Sequence, residues 1–393
     1  MAGPLTGLRV IELAGLGPAP MACTFLADLG AEVIRVDRIG DAGWPPPDLM
    51  QRRSRRSIAL DLKQAEHVDV VVALAASADV LVEGFRPGVA ERLGVGPDAL
   101  TARNERLVYA RMTGWGQAGP LAGLAGHDID YIAVGGLLGM VGRPGQPPDP
   151  PLNVVGDFGG GAMFLVGGVL AALFERARSG RGQVLDVAMA DGVAYLVGPA
   201  IATLGDRPFE RHMLVIDGGA PCYGTFECAD GRYVAVGAIE PQFYARLLAG
   251  LGLDDVDAML QDDRSTWPTT RRRIAGALLG RPRDAWLEEF DGLDACVAPV
   301  LAPDELRQHQ HHVSRGTWFE HDGVVQPMPA PRFERSEVPA SGPAPRPGQH
   351  TREVLTELGW PAESIDRIAV SHAARGASEV AVPRCDSNCH GRL

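Results

Sequence analysis

The amino-acid sequence predicts an α/β protein of two unequal lobes, and three observations carry that expectation. The chain has 393 residues, long enough for more than one hydrophobic core. Its first part alternates short apolar runs with segments of helical spacing, the pattern of a parallel sheet covered by helices on both faces. From residue 221 the texture changes to paired runs of alternating polarity around a turn, the pattern of a second, α+β lobe.

"LRVIEL" (8–13) is a short apolar run, "APMACTFLADLG" (19–30) has helical spacing with Gly30 as its stop, and "AEVIRVD" (31–37) is strand-like again. Together they make a β-α-β unit. Two further strands are expected in "DVLVEGF" (79–85) and "RLVYARMTGWG" (106–116). "GGGAMFLVGGVLAALFERARSG" (159–180) reads as a long apolar helix beginning just after Asp157, with Arg176 and Arg178 in the last turn, where the helix dipole favours cations. In "PCYGTFECADGRYVAVGAI" (221–239) two alternating runs flank Ala-Asp-Gly, which is hairpin chemistry. "QFYARLLAGLG" (242–252) and "AWLEEF" (285–290) look helical, and "ACVAPVL" (295–301) looks like a strand. Pro-rich stretches within 326–349 read as an extended linker, followed by one more amphipathic helix in "HTREVLTELGW". The expected division is a large α/β domain over 1–200, a linker over 201–220, a small α+β domain over 221–325, a linker and helix over 326–370 returning to the large domain, and a disordered tail over 371–393.

Hydrophobic residues at 46% and charged residues at 22% exclude a disordered or fibrous chain. A net charge of -12 argues against a nucleic-acid surface, which needs clustered cations over a whole face. The six cysteines are irregularly spaced, and with neither a signal peptide nor a membrane-spanning run in view the expected setting is cytoplasmic, with no membrane partner. Cys385, Cys389 and His390 lie in an unpatterned tail without a second ligand pair, and His309, His311 and His312 have no carboxylate at ligand spacing, so no metal site is expected.

Gly15-Leu-Gly17-Pro-Ala-Pro20 lies between a strand and a helix, with Asp37 about twenty residues on, and so imitates a dinucleotide fingerprint. The third glycine is missing, Pro20 stands where helix and strand need close approach, and Pro18 removes an N–H, so the loop is a poor phosphate cradle. Arg35, Arg38, the "RRSRR" run (52–56) and Lys63 are better candidates to hold a phosphorylated nucleotide by charge-assisted hydrogen bonds. A solvated basic loop would explain the same run.

At this point the residues add up to a resemblance. "GLRVIEL", "LADLGAEVIRVDR", "SIALDLK", "ADVLVEGFRPGV", "YARMTGWGQAGP", "AGHDIDY", "LNVVGDFGGG", "GQVLDVAMADG" and "GAIEPQFY" together resemble the family III CoA-transferases (CaiB/BaiF), and within them the α-methylacyl-CoA racemases, from residue 5 to about 335. The resemblance implies a large Rossmann-like domain formed from both chain ends, a smaller domain, and linkers that interlock two subunits into a homodimer. It implies a racemase or epimerase acting on 2-methylacyl-CoA thioesters in lipid metabolism, with CoA as part of the substrate and no added cofactor.

Racemisation at a thioester α-carbon needs two titratable groups on opposite sides of a planar enolate. His127 and Asp157 match the family's two catalytic positions. Taken alone, His127 also reads as a structural histidine and Asp157 as a helix cap. If "GDFGGG" opens the long helix, its free N–H groups would suit an enolate oxygen. Glu240 by resemblance pairs with His127 and favours its protonation, while its position at a strand-to-helix turn equally fits a dipole role. For CoA, the family's binding positions fall on Arg38, on Leu60, Asp61, Leu62 and Lys63, and on the loop Gly126, Asp128, Ile129, Asp130 and Tyr131. Arg92 is a further candidate for the same anion, and Asn153 for a hydrogen bond near the thioester. The rival within the same fold is a CoA-transferase that uses Asp157 as a nucleophile.

Overall fold

The protein is described here by a computed structural model covering residues 3–39, 53–321, 323–338 and 341–369. Arg52, Cys385, Cys389, His390 and the tail expected over 371–393 lie outside the described residues. The chain forms two compact units: Met1–Gly135, Pro151–Leu196 and Trp318–Leu393 make the first, Gly136–Pro150 and Val197–Thr317 the second. Residues 136–150 therefore group with the second unit, unlike the continuous stretch 1–200 read from the sequence.

The first unit is built on a six-stranded sheet of β1 (Arg9–Leu13), β2 (Glu32–Arg38), β3 (Arg56–Leu60), β4 (Val80–Glu83), β5 (Val108–Thr113) and β6 (Val184–Ala188). All its pairings are parallel, in the order β3-β2-β1-β4-β5-β6. This is the doubly wound order, whose direction reverses between β1 and β4. Strand alternation feeds two cores. Ile11, Leu13, Ile34, Val36, Ile58 and Leu60 face one side, with α2 (Ala65–Ala76). Val10, Val33, Val80, Val82 and Val108 face the other, under α1 (Pro18–Asp28) and the later helix α4 (Phe164–Ser179). Between them in the chain, α3 (Asp128–Val134) precedes a π-helical segment, Val154–Met163, which runs directly into α4. Helix α5 (Met189–Leu204) follows β6.

The same alternation carries a buried charge network. Glu12, Arg35, Asp37, Arg55 and Ser57 all point to the α1 side of β1–β3, in the sequence positions between the apolar residues of the opposite face. Arg35 pairs with Glu12 and, at 2.8 Å, with Asp37; Arg55 meets Glu12 at 2.7 Å, and Ser57 donates to Asp37 at 2.5 Å.

In the second unit β7 (Tyr223–Glu227), β8 (Tyr233–Gly237) and β9 (Val297–Pro299) form an antiparallel sheet backed by α6 (Pro241–Gly250), α7 (Trp267–Leu278) and α8 (Arg283–Phe290). The chain re-enters the first unit through a hairpin, β10 (Trp318–His321) and β11 (Val324–Pro327), and α9 (Thr351–Glu357). The linker expected from residue 326 thus begins inside a strand. Buried Arg53 fastens that strand, donating to the carbonyl of Pro327 at 2.9 Å and to Gln326 at 3.2 Å while pairing with Asp28.

Candidate active site

Ligands of doubly wound sheets sit at the carboxyl ends of the strands, beside the point where strand order reverses. Two cavities of the first unit lie there. The larger, about 460 Å3, is lined by the ends of β1, β2 and β3, including Leu13, Arg38, Leu60, Asp61, Leu62 and Lys63. The smaller, about 260 Å3, is lined by residues following β1, β4 and β5 together with Gly126, His127 and Tyr131. Phe85, just beyond β4, lines both. Arg38 and Lys63 are exposed at the larger cavity, where a cation meets an entering phosphate without first being desolvated.

His127 precedes α3 with its side chain exposed, and its backbone is held tightly. Its N–H donates to Asp130 Oδ2 at 2.9 Å, the reciprocal half of a helix cap. Tyr131, one turn on, donates its hydroxyl to the Gly126 carbonyl at 2.5 Å and meets Trp115 edge-on with ring centroids 4.9 Å apart. Gly114 and Gly126 leave room for that ring: a Cβ would stand 2.1 Å and 2.7 Å from it. Glycine at both positions is therefore what lets the tyrosine brace the loop carrying His127.

Asp157 sits inside the π-helical segment and not ahead of a helix, which corrects the expectation of a free helix N-terminus beginning just after it. Its own N–H donates to Asp128 Oδ1 at 2.7 Å. The N–H groups of residues 156 and 157 are both taken up by that buried carboxylate, so they do not make the oxyanion site expected from the sequence. Asn153, one helical turn before, donates to Asp157 Oδ2 at 3.0 Å. Gly17, with φ of 68°, brings the β1–α1 loop so close that a Cβ there would lie 3.2 Å from the same oxygen. The glycine that imitated a dinucleotide fingerprint thus makes space for Asp157.

Burial raises the Asp157 pKa above the ordinary carboxylate range; the Asn153 hydrogen bond opposes this, the Asp128 charge adds to it, and the His127 imidazole pulls it back down. Burial likewise raises Asp128, against the pull of its two N–H donors. Two carboxylates thus lie close together, neither of them among the residues lining the two cavities, and the imidazole is close enough to act on Asp157 through its charge. Proton affinity raised in this way suits a group that must take up and release a proton near neutral pH.

The remaining sequence candidates divide. Arg38, Leu60, Asp61, Leu62 and Lys63 come together at the larger cavity, and Gly126 and Tyr131 join His127 at the smaller. Asp128 and Asp130 serve the backbone of Asp157 and His127, and Ile129, Asp128, Asp130 and Arg92 line neither cavity. Asn153 holds Asp157. Glu240 is exposed at the N-terminus of α6 in the second unit. The expectation that Arg35 and the 52–56 run hold a phosphorylated nucleotide is corrected: Arg35, Arg53 and Arg55 are buried ion-pair partners, and Arg56 is shared by Glu32, Glu353 and Glu357. Strand alternation turns Arg35 and Arg55 to the α1 face, and Arg56, on the same face as Arg38, stands at the opposite end of β3, so only Arg38, at the carboxyl end of its strand, reaches the cavity. Sequence reasoning did not single out Trp115 or Phe85 as site residues: both fall inside the expected strands 106–116 and 79–85, whereas β5 ends at Thr113 and β4 at Glu83, which leaves the two rings in the loops beyond the strand ends.

Comparison with known proteins agrees with this geometry. Residues 5–351 match CoA-transferase family III. The chain is 45% identical over 376 residues to a Mus musculus protein named α-methylacyl-CoA racemase, covering 93% of this chain and 98% of that one. It is 43% identical over 368 residues to the Homo sapiens protein of the same name, covering 92% and 95%. A crystal structure of a CaiB/BaiF family protein from Brucella suis superposes with a TM-score of 0.80 at 25% identity, covering 91% of this chain and all of that one. With the match spanning nearly the whole chain and the doubly wound sheet carrying its cavities at the expected strand ends, this protein belongs to CoA-transferase family III.

Proposed function

We propose that the protein is an α-methylacyl-CoA racemase that interconverts the two epimers of a 2-methylacyl-CoA thioester by moving a proton at the α-carbon through an enolate. The observation that carries the reading is Asp157, a carboxylate whose proton affinity is raised by burial and which lies within electrostatic reach of the imidazole of His127. Relatives at 45% and 43% identity that bear this name support it. In one direction His127 takes the α-proton and protonated Asp157 supplies one to the other face; in reverse the roles exchange, so each turnover leaves the pair with its proton on the other partner. The CoA portion occupies the 460 Å3 cavity, with Arg38 and Lys63 on its phosphates. No added cofactor enters this chemistry. Glu240, as the partner that orients His127, and a cytoplasmic homodimer complete the reading.

The test incubates one epimer of a 2-methylacyl-CoA with the purified protein in deuterated buffer, with no nicotinamide, metal or acceptor acid. Deuterium should enter the α-position as stereochemical purity is lost. His127→Ala should abolish interconversion, leaving α-exchange from one epimer only, and Asp157→Ala should show the opposite preference, each loss being about 10²–10⁴-fold. An absolute requirement for an acceptor carboxylic acid, without α-exchange, would replace the reading with CoA transfer through an Asp157 anhydride.

A further inference from the structure

Edge strand β3 has its outer N–H groups capped one by one by side chains. Ser57 N–H donates to His350 Nδ1 at 3.1 Å, Ala59 N–H to Thr351 Oγ1 at 3.3 Å, and Asp61 N–H to His67 Nδ1 at 2.8 Å. The first two caps come from the returning C-terminal segment, and neither His350 nor Thr351 lines the two cavities of the candidate site. The third is different, because Asp61, Leu62 and Lys63 line the 460 Å3 cavity. His67 itself does not line it; it sits on the first turn of α2, 2% exposed, behind the loop.

The loop is otherwise closed mostly on itself. Lys63 N–H donates to Asp61 Oδ1 at 3.2 Å, Gln64 N–H to the Asp61 carbonyl at 2.9 Å, and Gln64 Nε2 to Asp61 Oδ2 at 3.3 Å. Asp61 is the hub of these bonds, and the imidazole ties that hub to the helix. A ring nitrogen that accepts must be unprotonated, so the proton of the neutral imidazole is on Nε2. Burial, which disfavours the charged ring, keeps it in that form against the nearby charges of Asp61 and Glu66, the latter engaged by Arg367 at 2.7 Å.

We infer that His67 is a positioning residue for the nucleotide end of the substrate, fixing through the Asp61 N–H the loop that presents Leu62 and Lys63 to the CoA moiety. This rests on the reading of the larger cavity as the CoA site. It deepens that reading with a residue that touches neither substrate nor reacting atoms. Its action is confined to binding, since the nucleotide is held alike in ground and transition states.

The experiment measures the Kd of free CoA by calorimetry and the KM and kcat of a 2-methylacyl-CoA for wild type and three variants. His67→Phe keeps a ring but removes the acceptor, leaving a shielded N–H unpaired; Kd and KM should rise about tenfold while kcat stays within about twofold. His67→Asn places an amide oxygen near the Nδ1 position and should recover most of the affinity. His67→Gln, whose amide reaches instead to the Nε2 position, should bind as weakly as His67→Phe, and it repeats the comparison in a polar side chain if the phenylalanine variant does not fold. Wild-type affinity in His67→Gln, or no recovery in His67→Asn, overturns the inference; so does a fall in kcat at unchanged Kd. Free CoA is bound without turnover, so failure of the racemase chemistry leaves this test intact. A wild type that binds no CoA overturns the cavity assignment and the inference together.

Discussion

Asp157 is a carboxylate held where its charge is disfavoured: it is half-buried, and the buried carboxylate of Asp128 lies close enough to repel it. Its folded-state pKa is raised, so the folded protein binds this proton more tightly than the unfolded chain does. Stability therefore falls as pH rises from the unfolded value of about 3.9 through the raised folded value, and the deficit persists above it. Asp157→Asn removes the charge while its amide oxygen still accepts from Asn153. The variant should lose racemisation yet unfold at a higher temperature than wild type at pH 7, with the difference closing as pH falls toward about 4. Thermal scans of both proteins across this range provide the check; an equal or lower midpoint for the variant at pH 7 would show that burial does not strain this group.

At the scale of elements, the position of Asp157 depends on two backbones that nearly touch. The π-helical segment crosses the start of α5 at paired glycines: a Cβ on Gly192 would lie 2.0 Å from the Gly160 carbonyl oxygen, and one on Gly160 would lie 2.8 Å from the Val193 nitrogen. Because the obstructing atoms are backbone, rotamer changes cannot relieve the overlap. Gly192→Ala should therefore cost about 1–3 kcal/mol or more in unfolding free energy, and it should lower kcat because the shift is transmitted to the segment carrying Asp157. Denaturant titration together with steady-state kinetics tests both parts, and a variant with wild-type stability would mean that the helices separate without cost. The length and hydropathy of Val154–Ser179 would suit a membrane span, but Leu165, Val166, Val169 and Ala172 pack in the core beside the sheet. Helical spacing finds such an element; the one-residue widening into a π-turn leaves no mark in an apolar, glycine-rich stretch.

For the whole molecule, charge is divided between structure and binding by the face of the sheet. Glu12, Arg35, Asp37 and Arg55 neutralise one another inside, where removing one partner would leave an uncompensated buried charge. Arg38 and Lys63 stand exposed at the larger cavity, and among the described residues neither takes part in that network. Arg38→Ala and Lys63→Ala should each raise KM for an acyl-CoA several-fold with kcat nearly unchanged, since phosphate contacts hold ground and transition states equally. Added salt should weaken wild-type binding more than that of either variant. A collapse of kcat at constant KM would move the nucleotide elsewhere.

Much of this was legible in the chain itself. Strands buried on both faces are rich in apolar residues, so β1, β2, β4 and β5 stand out even with Glu12, Arg35, Asp37 and Arg111 among them, and the β-α-β start sets the parallel sheet. Patterning does not single out edge strands β3 and β6 or the hairpin of β10 and β11: β3 opens on the last arginine of the basic run, β6 is five residues long with Asp186 at its centre, and the hairpin strands mix polar with apolar residues. The motif around His127 and Asp157 named both residues, and the family resemblance gave them roles; what holds them came only from the fold. Asp128 clasping the backbone at residue 157, Gly17 yielding space beside its carboxylate, and His67 behind the nucleotide loop are contacts between segments distant in sequence. The arginines show the limit most plainly: sequence supplies the positive charges of residues 35, 38, 55 and 56, but strand register and position along the strand decide which are turned to carboxylates and which meets the cavity. A one-residue step reverses the face a side chain occupies, and the pairing that sets that step is a property of the assembled sheet.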